Sequence, residues 1–509
     1  MQILFAIALL APTGIDADVV IRGGTVYDGT GTKGRVADVA IKGDRIVAVG
    51  KFKLNGKPKV IMAQGLIVAP GFIDLHNHSD RKIVLKKHRA AKNYLTQGVT
   101  TIVTGNCGFG PVDVKAYLNQ IDRLGAGPNV AHLIPHGSLR KQVMQSANRP
   151  PSGPELKTMK QLVRRGMKDG AFGISTGLIY VPGSFAKTKE LVEISRVVAS
   201  EQGIYVSHMR SEGTGLLRSV EETLRIGREA KLPVHVSHFK ASGRPAWGLA
   251  GAAVRLILNA RRKGQRITAD QYPYTASSTS LAAMTVPARY RNLKKMNAAL
   301  ADARQAPKLK ASIEKMIKQR GQGKALFVAG YAKNRSWQGK NIAQLAKQEG
   351  KTTLAIVLTM LKNGGAGMVN FGIQEEEVRL IMRQSFVATA SDGSTREPSN
   401  TVPHPRSYGC FSRKIGRYAI EGKVVSLAHA IRSSTSLPAK ILGLSKRGVI
   451  QVDFVADIVV FDPKTFRDVA TFAKPHQYST GVRYLLVNGQ FAIANGNRTK
   501  GLSGRALRK

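Results

Sequence analysis

The chain is short of acidic residues, of cysteine and of long apolar runs, and each shortage narrows what it can be. Its 509 residues hold 32 Asp and Glu against 78 Lys and Arg, a formal charge of +46. Only two cysteines occur, Cys107 and Cys410. Both are expected to be reduced, because a bridge between them would consume a thiolate that stands among other metal-ligand residue types. No internal stretch approaches the roughly 18 apolar residues that a membrane-crossing helix needs. Neither a serine-nucleophile elbow nor a phosphate- or dinucleotide-binding glycine loop is expected.

The basic excess calls for its own reading, since so much positive charge normally points to nucleic acid, an anionic membrane surface or an acidic polymer. Here the lysines and arginines are spread over nearly every expected helix and loop. The densest cluster, Arg81 to Lys92, has no interleaved aromatic residue. It is read as a generally basic, solvated surface with no specific nucleic-acid partner. Near the start, Ile3 to Leu10 is an apolar run followed by Pro12 and Ala17. That pattern resembles the apolar core and cleavage site of a secretory signal without its usual basic beginning. A secreted or periplasmic protein is expected if residues 1–17 are such a signal, and a cytoplasmic one otherwise.

The informative segment is Gly71-Phe-Ile-Asp-Leu-His-Asn-His78. Side chains alternate faces along a strand, so His76 and His78 point one way and Leu75 and Asn77 the other. Two neutral imidazoles side by side form one edge of a site for a zinc-like ion. Further donors recur at the ends of later expected strands: Cys107 after Thr100–Asn106, His208 after Ile204–Ser207, His238 after Val234–Ser237, and Asp392 after Ser385–Ser391. His235 lies three positions before His238 and therefore faces the other way, as a packed or supporting histidine. A metal beside a carboxylate suits hydrolysis, because the metal acidifies water and the carboxylate takes the proton and returns it to a leaving amine.

Both ends of the chain read as short alternating strands with Gly and Asp turns: Asp18–Tyr27 and Val36–Val49 at one end, Ala456–Pro463 and Val482–Phe491 at the other. Neither end alone has enough strands for a core, so together they are expected to form a small β-sandwich. Between them, helix-then-strand units repeat, as in Pro154–Gly170 followed by Ala171–Ser175, Lys189–Gln202 by Ile204–His208, and Val220–Lys231 by Val234–His238. The expected fold is α/β, a TIM-like (β/α)8 barrel with catalytic groups at the C-terminal strand ends. The expected boundaries are 18–69 and 445–509 for the sandwich and 70–444 for the barrel, with a Lys/Arg-rich insertion at about 281–322.

The chain resembles the N-acyl-D-amino-acid deacylases (D-aminoacylases) of the amidohydrolase superfamily. The resemblance runs over nearly its whole length, carried by Pro70–His78, Gly98-Val-Thr-Thr101, Gly105-Asn-Cys-Gly-Phe-Gly110, Gly170–Gly183, Ser207-His-Met-Arg-Ser-Glu212, Val236-Ser-His-Phe-Lys240, Ala269-Asp-Gln-Tyr-Pro-Tyr274, Ser391-Asp-Gly-Ser394 and His404-Pro-Arg406. It implies one tightly held zinc on Cys107, His208 and His238, and a weaker second position bordered by His76, His78 and Asp392. Asp392 would be the general base and acid. Lys240, Tyr180 and Arg406 would contact an N-acyl amino acid, Arg406 pairing with its carboxylate; Tyr272 and Tyr274 are both candidates for a further tyrosine. The sequence leaves open the preferred side chain and acyl group, the number of metals and the oligomeric state. Another amidohydrolase, such as a cyclic-imide hydrolase, dihydropyrimidinase or dipeptidase, is the alternative. Many of those bridge two metals with a carbamylated lysine, and Gly173-Ile-Ser-Thr-Gly-Leu178 has no lysine. A non-catalytic basic binding protein is a more distant alternative, disfavoured because no expected ligand or base is missing.

Overall fold

The structure is a computed structural model and describes residues 14–509. The apolar run Ile3–Leu10 lies outside the described residues. Eight parallel strand segments carry the site, labelled here β1 (Phe72–Asp74), β2 (Val99–Thr104), β3 (Asn129–His132, continued by Ile134–Pro135), β4 (Gly173–Gly177), β5 (Ile204–His208), β6 (Val234–Val236), β7 (Ile267–Gln271) and β8 (Val387–Thr389). They pair in that order, with Asn129–His132 on β2 and Ile134–Pro135 on β4. β1 to β6 and β8 are buried throughout, as expected of parallel strands covered on both faces.

Helices separate the strands, and local chemistry sets their ends. Gly153–Lys168 begins at a capping box in which Ser152 accepts from the Glu155 amide and Glu155 reaches back to the Ser152 amide. Its buried face, Met159, Val163 and Met167, has the spacing anticipated from the sequence. Thr188–Ser200 and Leu216–Ala230 follow the same plan before β5 and β6.

After β8 the chain comes back against the segment following β1. An isolated parallel bridge joins Asn77 to Gly393. The Asp392 amide donates to the His76 carbonyl at 2.8 Å and the His78 amide to the Gly393 carbonyl at 2.7 Å. Buried Asp74 ties the same seam, accepting from the Ser391 amide (2.8 Å), the Ser391 hydroxyl (2.5 Å) and Asn77 Nδ2 (2.8 Å). Burial outweighs these bonds and pushes its carboxyl up to about 6.

The two chain ends interleave in one nine-stranded mixed sheet. Ile67–Pro70 runs antiparallel to Ile458–Phe461 and parallel to Val19–Val26, so the halves pair directly. A cluster including Ile21, Val39, Ile41, Ile458, Val460 and Leu486 packs within it. The described strands begin ahead of residue 18, since Ile15–Asp16 pair with Leu54–Asn55. At the far end, the residues after 500 leave this sheet and return to β3, with the Val130 amide donating to the Arg505 carbonyl at 3.0 Å. Gly29-Thr-Gly-Thr-Lys-Gly34 spells a dinucleotide-type glycine pattern, but it joins the strands Val19–Val26 and Arg35–Lys42. No helix follows whose N-terminus could receive a phosphate.

The insertion is larger than the basic stretch that marked it. Between β7 and β8, a three-stranded antiparallel sheet of Ala276–Ser280, Gly367–Phe371 and Leu326–Gly330 carries helices around a separate core of Leu309, Ile313, Leu326, Ile342, Leu345 and Ile356. Its edges are set by the pairing of residues ninety apart, which no local pattern signals.

Candidate metal centre

All six residues expected at the metal site meet at the C-terminal ends of the parallel strands. The Cys107 sulfur is 3.3 Å from His76 Nε2, 3.5 Å from His208 Nδ1 and 3.7 Å from His238 Nε2. Asp392 Oδ1 is 3.0 Å from His78 Nε2 and 3.5 Å from His76 Nε2. Among the described residues, three overlapping sets have donor atoms within 4.8 Å of one another: His76, Cys107 and His238; His76, His78 and Asp392; and His208, Glu212 and His238. His76 is shared by the first two and His238 by the first and third.

Backbone geometry fixes three of these side chains. Cys107, His238 and Asp392 have φ of +53°, +35° and +49°. Non-glycine residues rarely adopt such angles and tend to do so where the surroundings hold them at a functional site. For Cys107 that hold is visible. The Ser175 hydroxyl donates to the Gly105 carbonyl and accepts from the Gly108 amide at 3.0 Å, while Asp80 accepts from the Gly105 amide. Ser175 sits in Gly173-Ile-Ser-Thr-Gly177, which does spell the Gly-x-Ser-x-Gly pattern. It is buried mid-strand and occupied with the Cys107 loop, so it is no nucleophile elbow.

Two carboxylates that the sequence reading passed over orient the imidazoles. Glu212 Oε1 is 2.7 Å from His238 Nδ1, and it also takes the Lys240 ammonium at 2.5 Å. Asp270 accepts from the His238 amide at 2.7 Å, and its other oxygen lies 2.8 Å from His235 Nε2 and 3.6 Å from His76 Nδ1. His235 is thus a supporting histidine, as its spacing indicated. Glu212 and Asp270 lie within the motifs quoted above, but their role depends on which side chains face them across neighbouring strands. A carboxylate on the far nitrogen of a ligating imidazole fixes its tautomer and raises its basicity.

The electrostatics favour ionised donors. Burial pushes the Cys107 thiol up, but the facing His76 and His208 imidazoles hold it well below its ordinary value. Burial likewise opposes ionisation of Asp392, and the Arg406 guanidinium beside it holds the carboxyl well below the usual range. For His78, burial acts downward while the bond to Asp392 and the nearby Cys107 raise it to about 9.

The residues expected to meet substrate surround this centre. Arg406 pairs with Asp392 Oδ2 at 2.7 Å, donates to the Ser278 carbonyl at 3.2 Å and lies over the Tyr272 ring at 4.9 Å. Tyr180 packs its ring 5.0 Å from that of His208 and bonds Thr279 Oγ1 through its hydroxyl at 3.0 Å. Lys240 is buried and engaged by Glu212 and by His238, whose Nδ1 is 2.9 Å away. Tyr272 faces Arg406, whereas Tyr274 faces Arg413 at 4.7 Å; the geometry therefore favours Tyr272 as the tyrosine of the site.

A metal-type donor set at the C-terminal ends of parallel strands defines the class, and the chain belongs to the amidohydrolase family, whose model matches residues 59–493. Within it, the chain is 33% identical to a D-aminoacylase of Alcaligenes xylosoxydans xylosoxydans, over 93% of each chain. It is equally 33% identical to an N-acyl-D-glutamate deacylase of the same organism, again over 93% of each. Among solved structures, it is similar to the N-acyl-D-glutamate deacylase from Bordetella bronchiseptica complexed with zinc and a phosphonate mimic of the tetrahedral intermediate. That match has a TM-score of 0.83 and 31% identity, and it covers 97% of this chain and 100% of the other. The fold is of the TIM-barrel type, with mixed α and β content.

Proposed function

We propose that the chain is a zinc-dependent hydrolase of N-acyl-D-amino acids that releases a D-amino acid and a carboxylate. The observation that carries this reading is the meeting of a lowered-pKa thiolate with three imidazoles, directly beside an aspartate paired to an arginine. The reading takes the eight parallel strands as a (β/α)8 barrel, with the interleaved ends as its small β-sandwich.

The donor set fits zinc, because a soft thiolate with imidazoles selects it over magnesium or calcium. Cys107, His208 and His238 would hold the tight ion, and His76, His78 and Asp392 would border a weaker position. When bound, zinc supplies Lewis acidity and lowers the pKa of water to about neutral. The chain's own groups do the rest. Asp392, kept ionised by Arg406, takes a proton from water and later delivers it to the leaving nitrogen. Arg406 offers its planar fork to the substrate carboxylate. Tyr180 and Lys240 line the approach, and Glu212 and Asp270 keep the imidazoles aimed.

Selectivity between enantiomers follows from attachment at two points with the pocket wall as the third contact, and the preference for the D form rests on the likeness to the D-amino-acid deacylases. With the carboxylate on Arg406 and the amide carbonyl at the metal position, one enantiomer directs its side chain into open space and the other into the wall. The test is a hydrolysis panel of N-acyl D- and L-amino acids and their amides, with zinc measured on the same sample. Fast turnover of the D-acids alone is the expected result. Equal rates on D and L forms, or on acid and amide, would overturn it in favour of an imide hydrolase or dipeptidase.

A further inference from the structure

We infer that Arg291, in the insertion between β7 and β8, is a positioning residue that sets the placement of Tyr180. This rests on the reading of Tyr180 as a substrate contact. Arg291 spends its guanidinium on backbone carbonyls alone. Nε donates to Val286 at 2.7 Å, Nη2 to Ala283 at 3.0 Å, and Nη1 to Ile179. The first two acceptors belong to the insertion; the third is the residue before Tyr180 in the loop after β4. The planar fork thus bridges two parts of the chain more than a hundred residues apart.

Three further features make this bridge consequential. Tyr180 is tied to the insertion a second time, through its hydroxyl on Thr279 of the strand Ala276–Ser280. The far end of the same loop is anchored separately. Arg210, held by Glu222, donates to the carbonyls of Ser184 at 3.3 Å and Ala186 at 3.0 Å. Finally, the junction is not filled by packing, since a cavity of about 350 Å³ lies there, with Ile179, Thr279, Met284, Arg291 and Met316 in its walls. Where side chains do not interlock across a boundary, polar ties determine how the two sides sit. A half-buried guanidinium on three carbonyls is such a tie, and no lysine can reproduce its fan of donors.

The consequence is that the insertion helps build the active site without lending it a reacting group. Released from Arg291, the loop keeps its Arg210 anchor but gains freedom at the end bearing Tyr180, whose ring rests on His208. Misplacing a substrate-contacting group by a fraction of an ångström is enough to slow an enzyme.

The experiment uses the full-length, zinc-loaded protein and four variants: Arg291→Gln, Arg291→Lys, Tyr180→Phe and the double variant. Arg289→Gln, an exposed neighbour with the same change of charge, is the control. Arg291→Gln should lower kcat/KM for an N-acyl-D-amino acid about tenfold, with zinc content unchanged and Arg291→Lys only partly restoring it. In the Tyr180→Phe background the same substitution should cost less than about twofold, because the two act through one group. Amide hydrogens of residues 178–186 should exchange faster in Arg291→Gln and not in Arg289→Gln. Equal losses in both backgrounds, or unchanged exchange in that segment, would overturn the inference. A wild-type rate for Tyr180→Phe would instead remove Tyr180 from the site, and the exchange measurement would then decide Arg291's hold on the loop by itself.

Discussion

The two sides of the metal pocket are built on different principles. On one side, Cys107, His208 and His238 are buried, and the far nitrogen of His238 is engaged by Glu212. On the other, the His78 side chain is 32% exposed and Asp392 is 11% exposed, with Asp392 balanced between His78 and Arg406. On the proposed function, the first side would retain the metal through a thiolate and imidazoles, and the second would serve proton transfer and substrate entry. His76 stands between them, 3.3 Å from the sulfur and 3.5 Å from the carboxylate. Holding the metal and carrying out the chemistry are therefore expected to respond separately to mutation.

The most severe test is on the open side. Asp392→Asn keeps the shape and removes the acceptor of the proton, so turnover should fall by at least about 10²-fold while zinc content stays near that of the parent. A variant retaining a tenth of the rate would place the base elsewhere. Its counterpart on the buried side is Cys107→Ala, which should lose zinc on dialysis against chelator, and activity with it. Full zinc retention would show that the thiolate is not a ligand and dissolve the contrast between the two sides.

Arg406→Lys should have a smaller effect, concentrated in KM for the carboxylate-bearing substrate. A point charge cannot reproduce the two-pronged contact. A change confined to kcat would mean that Arg406 serves Asp392 and not the substrate.

The smallest effect concerns pH and the support of the buried side. His132 lies behind the Cys107 loop, 2.8 Å from Thr104 Oγ1 and 3.0 Å from the Pro111 carbonyl, and burial pulls its imidazole down to about 4. The unfolded chain takes up this proton near 6.5 and the folded one only near 4. Stability is therefore lost as pH falls through that window, by on the order of 3 kcal/mol at most. Denaturant titrations of His132→Asn should show a correspondingly shallower decline between pH 6.5 and 4. An unchanged slope would mean that the histidine titrates alike in both states.

Much of this was legible in the sequence, because the signals were local. Apolar residues at helical spacing, as in Pro154–Gly170, specify helices from within a few residues, and the Ser152–Glu155 capping box then sets the start of that helix. A His-x-His at the end of a β-branched run specifies two side chains on one face. The separation of His235 from His238 follows from the same short-range rule, and strand-end positions offered the six candidates, whose grouping into two metal positions came from the family resemblance.

What only the tertiary structure decided depends on contacts between segments far apart in the chain. The insertion spans the whole stretch from Ala276 to Phe371 because its first and last strands pair with each other. Glu212 and Asp270 become imidazole partners only when adjacent strands bring them opposite His238 and His76. Ser175 turns from an apparent elbow into a brace because the Cys107 loop folds over β4. The left-handed backbone at Cys107 is likewise imposed from outside, whereas Asp392 and His238 are of residue types that tolerate it more readily. Periodicity and motif fix which side chains are offered and on which face. The long-range packing that brings the strands together fixes which of them meet, at what distance and in which state of charge.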